Sequence, residues 1–277
     1  MFGKLPLISC LLVTAKDRFH LAKQSIECYV AQTYPKRELV ILNEGPKAYQ
    51  DQISRYVKSL NRSDIRCVWL DGVGDYTLGG LRNISMALAQ GEIFVQWDDD
   101  DFCMPQRLST QYAFMARHPT AKVCYLTDQL HYYFDTSTLY WDSWRKYHSG
   151  NGRKKYSLIP GTIMARKDIG VRYPSHGTKC KAGEDTVFAE RLLDKHQGNV
   201  ILMEDTGCMH MYTFHGSNQV YDVEHHSHIS LMRSHNKEHM LRHRSRIVDS
   251  IQFFKLPLPV KVMARDGLAF VYGGDNV

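Results

Sequence analysis

Along the first hundred positions, apolar residues fall into short unbroken runs separated by stretches of helical spacing. Leu7 to Val13 (LISCLLV) is a continuous apolar run of the kind found in a strand buried on both faces. Glu38 to Leu42 (ELVIL), Ile65 to Leu70 and Glu92 to Trp97 (EIFVQW) read as three more strands. Between them, His20 to Gln32, Tyr49 to Leu60 and Leu81 to Gln90 have helical periodicity, with Pro35 closing the first and Gly91 the last. Asn43–Glu44–Gly45–Pro46 is a turn. Alternation of strand and helix predicts a mostly parallel sheet flanked by helices. Ligands of such sheets bind beyond the carboxyl ends of the strands, which directs attention to the loops after Val13, Leu42, Leu70 and Trp97.

The pattern then changes. Met104 to Arg117 has helical spacing, and Val123 to Trp141 alternates apolar with polar residues and is rich in aromatics, as antiparallel strands are. Asn151 to Lys155 (NGRKK) is a basic turn, and Tyr156 to Ala165 reads as a strand. Asp185 to His196 reads as a helix, with Gly183 and Glu184 at its start. Asn199 to Met203 and Met209 to Phe214 read as short strands. From about Val223 to Phe254 a His- and Arg-rich helical tail follows. The domain expectation is one α/β domain over 1–222, with a first half to about 101 and a second half from 102. A C-terminal helical extension over 223–277 packs on that domain.

Composition adds little. The 277 residues, 43% hydrophobic and 23% charged, describe an ordinary globular chain. The net charge of +6 favours anionic partners without choosing among nucleotide phosphates, membrane surface and nucleic acid. Seven cysteines, an odd number without close pairs and mostly inside apolar runs, read as free thiols in a reducing, cytoplasmic setting. No stretch is long and apolar enough to span a bilayer, so any membrane contact is peripheral.

The acidic run Asp98–Asp99–Asp100–Asp101 follows directly after the strand ending at Trp97. Adjacent carboxylates raise the cost of one another's ionisation unless a cation neutralises them. Oxygen ligands at this density suit Mg²⁺ or Mn²⁺, with a bound diphosphate completing the coordination sphere. The plainer alternative is a solvated turn or a helix cap, which aspartate also favours.

With its neighbours, this region resembles the DxD segment of family 2 glycosyltransferases: Ile93 to Asp101, then Met104–Pro105 and Arg107–Leu108. Leu11 to Thr14 with Asp17–Arg18 resembles the family's first strand and nucleotide loop. Ala31 to Pro35 with Glu38 to Ile41 resembles its "Q-T-Y-P" stretch into the second strand. Gly80 to Asn83 with Ala87 to Gly91 resembles the "R-N" helix, Gly183–Glu184–Asp185 the "E-D" motif, and His215 to Asn218 a late histidine segment. The resemblance spans about residues 5–220, with every segment in order. It implies the GT-A fold and metal-dependent, inverting transfer of a sugar from a nucleotide diphosphate, a UDP-sugar first, to a hydroxyl of a glycan or lipid-linked acceptor.

The resemblance assigns roles. Asp185 is the general base, with Glu184 beside it raising its basicity. Asp100 is a metal ligand, with His215 a candidate second one. Asp98 and Asp99 lie near ribose and metal, although the register within the four aspartates stays open. Thr14 and Arg18 line the base and ribose pocket, Arg82 and Asn83 brace the donor, and Asp71 is a further candidate nucleotide contact. Asn43 departs from the family pattern by replacing the aspartate that reads uracil; Glu44 is the nearest carboxylate, so the choice of UDP rests on weaker ground. Tyr132, Tyr133, Tyr140, Trp141 and Trp144 are candidates for an acceptor platform, against the reading of strand aromatics as core. The residues Arg233, Lys237, Arg242, His243, Arg244 and Arg246 of the tail are candidates for peripheral membrane contact, against a solvated helix face. No nucleic acid partner is implied. Two rival functions stand beside this one. A nucleotidyltransferase also uses acidic metal sites, but Thr14 to Phe19 lacks a glycine-rich phosphate loop. A non-catalytic nucleotide- or carbohydrate-binding module would not need Glu184–Asp185.

Overall fold

The computed structural model describes residues 5–15, 18–71, 74–146, 157–180, 183–216 and 223–274. The expected NGRKK turn, Asp17, and Ser217 and Asn218 lie outside the described residues. In chain order the elements are β1 (Ile8–Thr14), α1 (Phe19–Val30), β2 (Arg37–Asn43), α2 (Lys47–Ser59), β3 (Ile65–Trp69), α3 (Leu78–Leu88) and β4 (Ile93–Gln96). Then come β5 (Phe102–Cys103), α4 (Arg107–Ala116), β6 (Val123–Leu126), β7 (Asp128–Tyr133), β8 (Thr138–Ser143) and β9 (Met164–Arg166). The chain continues with α5 (Glu184–Lys195), β10 (Val200–Met203), β11 (His210–Phe214), α6 (Val223–Arg233), α7 (Lys237–Arg242) and α8 (Arg244–Phe253), and ends with β12 (Val260–Ala264) and β13 (Gly267–Tyr272). No helix of the described residues is long and apolar enough to cross a membrane.

The chain forms two compact units: Met1–Asp101, Leu108–Tyr125 and Pro160–Ile201 in the first, and Phe102–Arg107, Leu126–Ile159 and Leu202–Val277 in the second. The first is built on a seven-stranded sheet in the order β10-β6-β9-β4-β1-β2-β3. The β4-β1-β2-β3 part is parallel, as the unbroken apolar runs predict, and β9 joins antiparallel to β4 and β6. Its core is those runs: Ile8, Cys10, Leu12, Leu39, Ile41 and Val95 are fully buried. The second unit carries a six-stranded sheet in the order β13-β12-β8-β7-β11-β5.

Three boundaries differ from expectation. The strand expected over Tyr156 to Ala165 is only β9, preceded by a 3₁₀ turn at Pro160–Thr162, because Pro160 has no amide hydrogen to offer a ladder. The helix expected from Met104 begins at Arg107, since Pro105 disfavours helical geometry at the residue before it. The third concerns the expected extension over 223–277, which is helical only to Phe253. Residues 260–272 form a hairpin whose first strand pairs with β8. The sequence Val260–Lys261–Val262 alternates buried and exposed, the two-residue period of a strand. Residues 108–125 and 160–201 belong to the first unit, where they supply β6, β9 and β10 to its sheet.

Candidate active site

Strand register builds the site. In the parallel pair β1–β4, Leu11 lies opposite Gln96, so Thr14, three residues on, comes level with Asp99. The Thr14 hydroxyl donates to Asp99 Oδ2 at 2.7 Å. Having one proton, it then accepts from the Tyr49 hydroxyl of α2, 2.7 Å away. Arg18, just before α1, pairs with Asp99 Oδ1 at 3.2 Å and with Asp100. Burial and then the charge of Asp100 push the Asp99 carboxyl well above the usual range; Arg18 and Thr14 oppose that rise.

Asp98 is held on both oxygens. Arg82 Nη1 lies 2.9 Å from Oδ1, and Gln96 Nε2 donates to Oδ2 at 2.8 Å. Arg82 faces inward from α3 and reaches a second acid, with Nε donating to Glu184 Oε1 at 2.9 Å. Its guanidinium thus bridges the acidic loop and the first residue of α5. Helix α3 can come this close because Gly79 has no side chain: a Cβ there would stand 1.9 Å from the Pro174 carbonyl oxygen. Asn83, next along α3, clamps the backbone of Tyr173, donating to its carbonyl at 3.0 Å and accepting from its amide at 2.9 Å. Asn83 therefore braces the site from behind.

Asp185 is the second residue of α5 and is half-buried. Its Oδ1 accepts from the Thr186 amide at 2.6 Å, as a helix-start carboxylate does, while no described residue hydrogen-bonds to Oδ2. Burial first, then the charge of Glu184, push its pKa up to about 6, with Arg82 pulling the other way. A carboxyl of that pKa is matched to proton abstraction near neutrality.

Other expected residues have different surroundings. Asn43 is fully buried; its carbonyl oxygen accepts from the Gly45 amide at 2.7 Å and its amide donates to Gln50 Oε1 at 2.9 Å. That shapes the turn after β2 and leaves the base-reading role expected of Asn43 without an exposed edge. Glu44 accepts from the Tyr76 amide at 2.9 Å, fixing the approach to α3. Asp71 is exposed beyond β3. His215 follows β11 in the second unit and is half-buried.

The expected acceptor platform is corrected in the same unit. Tyr132, Tyr133 and Trp141 are fully buried and Tyr140 nearly so. Trp141 packs against Gly207, with His239 edge-on at 4.9 Å, so it is core. Trp144 donates to Asp142 Oδ2 at 2.8 Å, and the Arg233 guanidinium covers its ring at 4.6 Å. That contact also draws one tail cation inward.

Reading the sequence alone passed over Gln96, Tyr49 and Tyr173. Gln96 carried a signal, an amide inside an otherwise apolar buried strand. The tyrosines carried none, because their partners lie 35 and 77 residues away.

Among the described residues no group of three or more His, Cys, Asp or Glu side chains is disposed to hold a metal ion. The charge balance still fits one. Arg18 and Arg82 pair with Asp98, Asp99, Asp100 and Glu184, and burial first, then neighbouring carboxylate charge, pushes Asp99 and Asp185 up, a pressure that a cation would relieve.

Carboxylates and guanidiniums gathered at the carboxyl edge of an α/β sheet lie where such folds bind their ligands. The glycosyl transferase family 2 model matches residues 10–169, more than half of the chain, and the chain belongs to that family. Over 123 residues it is 32% identical to WcaA of Escherichia coli (strain K12), provisionally assigned as a colanic acid biosynthesis glycosyl transferase; the match covers 44% of this chain and 43% of WcaA. The chain thus spans less than half the length of this relative. S. aureus TarS 1–349 in complex with UDP-GlcNAc superposes with a TM-score of 0.56 at 12% identity, covering 91% of this chain and 82% of that one. The mannosyltransferase PcManGT of Pyrobaculum calidifontis, in complex with GDP-Man and Mn²⁺, gives 0.52 at 14% identity, covering 89% and 65%. At these identities the likeness concerns the fold, and the GT-A expectation is borne out.

Proposed function

We propose that this chain transfers a sugar, with inversion, from a nucleotide diphosphate donor to a hydroxyl of a glycan or lipid-linked acceptor. The observation that carries this reading is the Asp98–Arg82–Glu184 bridge, which ties the acidic loop to the helix bearing Asp185. Asp185 Oδ2 takes the acceptor proton as the acceptor oxygen bonds to the anomeric carbon and the carbon–diphosphate bond breaks. No covalent intermediate is required. Arg18 offers a guanidinium next to Asp99 and Asp100 for the departing phosphates. A Mn²⁺ or Mg²⁺ ion would be held by Asp100 together with donor phosphate oxygens, and would neutralise charge on the leaving diphosphate. Peripheral membrane contact through the exposed cations Arg242 and Arg244 would suit a lipid-linked acceptor on the cytoplasmic face.

UDP-sugars and GDP-sugars are both donors worth testing, since the neighbours carry UDP-GlcNAc and GDP-Man and Asn43 is enclosed. Calorimetry with UDP and with GDP, each with and without Mn²⁺, tests the donor. The expected result is nucleotide binding strengthened by the metal, and binding indifferent to Mn²⁺ would sink the metal reading. Asp185→Asn should abolish transfer while keeping nucleotide binding; surviving transfer would refute the base assignment.

A further inference from the structure

Behind Asp98 lies a second buried chain of contacts that the proposed chemistry does not use. Gln96 divides the two ends of its amide: Nε2 donates to Asp98 Oδ2 at 2.8 Å, and Oε1 accepts from the Tyr173 hydroxyl at 3.1 Å. Gln96 is 3% exposed and Tyr173 4%. Burial keeps the Tyr173 phenol protonated, so it remains a donor throughout the working pH range. The Tyr173 ring stacks on Phe188 of α5, with centroids 3.8 Å apart and planes 14° apart, and Arg82 lies over it at 5.8 Å.

Both ends of α5's first two turns are therefore referred to one carboxylate. Glu184 reaches Asp98 through Arg82, and Phe188 reaches it through Tyr173 and Gln96. The orientation of the amide is fixed by this order. A tyrosine hydroxyl donating to Oε1 leaves only the NH₂ group to face Asp98, so Asp98 receives one donor per oxygen. Two arms meeting at one side chain restrict its rotation more than either would alone, which is how a supporting layer holds a reacting geometry.

The geometry points to Gln96 and Tyr173 as positioning residues: they fix Asp98 in the orientation that clamps Arg82 against Glu184 and so registers Asp185 on the donor loop. Neither side chain touches a reacting atom. This inference rests on the glycosyl-transfer reading and deepens it. Small displacements of a reacting group are expensive in rate and cheap in binding, so the effect belongs in kcat.

The test uses the full chain with Mn²⁺, measuring UDP and GDP binding by calorimetry and nucleotide release from UDP-GlcNAc and GDP-mannose. Tyr173→Phe keeps the ring on Phe188 and removes only the hydroxyl. It should lower kcat by about ten-fold while leaving donor KM within about two-fold. Gln96→Glu keeps the volume and the bond from Tyr173 but turns an oxygen toward Asp98, and should lower kcat further, again with nucleotide binding retained. A purely structural role would lower the melting temperature of both variants and leave kcat per folded molecule unchanged, which overturns the inference. Equal loss of kcat and of nucleotide affinity also overturns it, because Asp98 would then serve donor binding rather than registration. If the wild-type chain binds neither UDP nor GDP, the glycosyl-transfer reading itself fails and takes this inference with it.

Discussion

Arg82 is the residue on which the first unit's charges depend, and its removal can be worked through from burial. The Arg82 side chain is 10% exposed, Glu184 4% and Asp98 22%. Arg82→Met keeps much of the aliphatic volume and removes the guanidinium. Glu184 is then left charged in a site closed to water. Breaking a buried pair from one side typically costs about 3–5 kcal/mol, since a charge is left stranded. At about 2–4 °C per kcal/mol for a protein of this size, the melting temperature should fall by roughly 6–20 °C. The second arm of the experiment removes the stranded charge as well. Arg82→Met with Glu184→Met replaces the pair by apolar side chains, a change that is often neutral or favourable. The double variant should therefore recover most of the loss, giving a coupling of about 2–3 kcal/mol in a double-mutant cycle followed by denaturant unfolding. Asp98, half-open and still bonded to Gln96, should not prevent that recovery. If Arg82→Met costs no more than about 1 kcal/mol, the worth of an exposed pair, or if the two substitutions simply add, then the bridge is not a buried unit and the reasoning fails.

Two further outcomes follow from particular atoms. Because Asp185 must be unprotonated to act as a base and its pKa is pushed up to about 6, kcat/KM should fall as pH drops through about 6; a profile flat across that range would remove Asp185 from the role. In the second unit, a Cβ on Gly207 would stand 2.2 Å from the fully buried Trp141 ring, so Gly207→Ala should destabilise by about 1–3 kcal/mol in thermal unfolding, and an unchanged melting temperature would show that the ring can move.

The elements most legible in the sequence were those whose burial is symmetrical. β1, β2 and β4 are buried along almost their whole length, so their residues are largely apolar, while β3 at the sheet edge is half-buried and carries Arg66; turn residues mark where they stop. Helix α5 was equally plain, announced by Gly183 and two carboxylates in its first turn. The hairpin β12–β13 was harder. Val260–Lys261–Val262 has the period of a strand, but it follows thirty residues of helical spacing, and its partner β8 lies more than a hundred residues earlier. Aromatic residues misled for a related reason. Tyr132, Tyr133 and Trp141 have the composition of a sugar-stacking surface, and only the packing against Gly207 and the neighbouring rings distinguishes that from a core.

The acidic run sets the limit of what sequence can say about the site. Four identical residues in a row carry no information about which one does what, because their differences come from register and from distant partners. The offset of β4 against β1 brings Asp99 level with Thr14, and neither apolar run specifies that offset. Asp98 and Asp99 are then distinguished by which arginine reaches them: Arg82 from α3 for the first, Arg18 from the loop after β1 for the second. Asp98 is committed on both oxygens, and Asp99 and Asp101 are each 4% exposed. Asp100 is 17% exposed and faces Arg18, a guanidinium that an incoming diphosphate would attract away from it. Drawing Arg18 onto a diphosphate would remove one positive charge from beside Asp99 and Asp100. That loss of charge is the ground on which we propose Asp100 as the metal ligand. It also predicts that Arg18 and the metal act on the same step, so that replacing Arg18 by Met should change the Mn²⁺ dependence of nucleotide binding and not merely its strength.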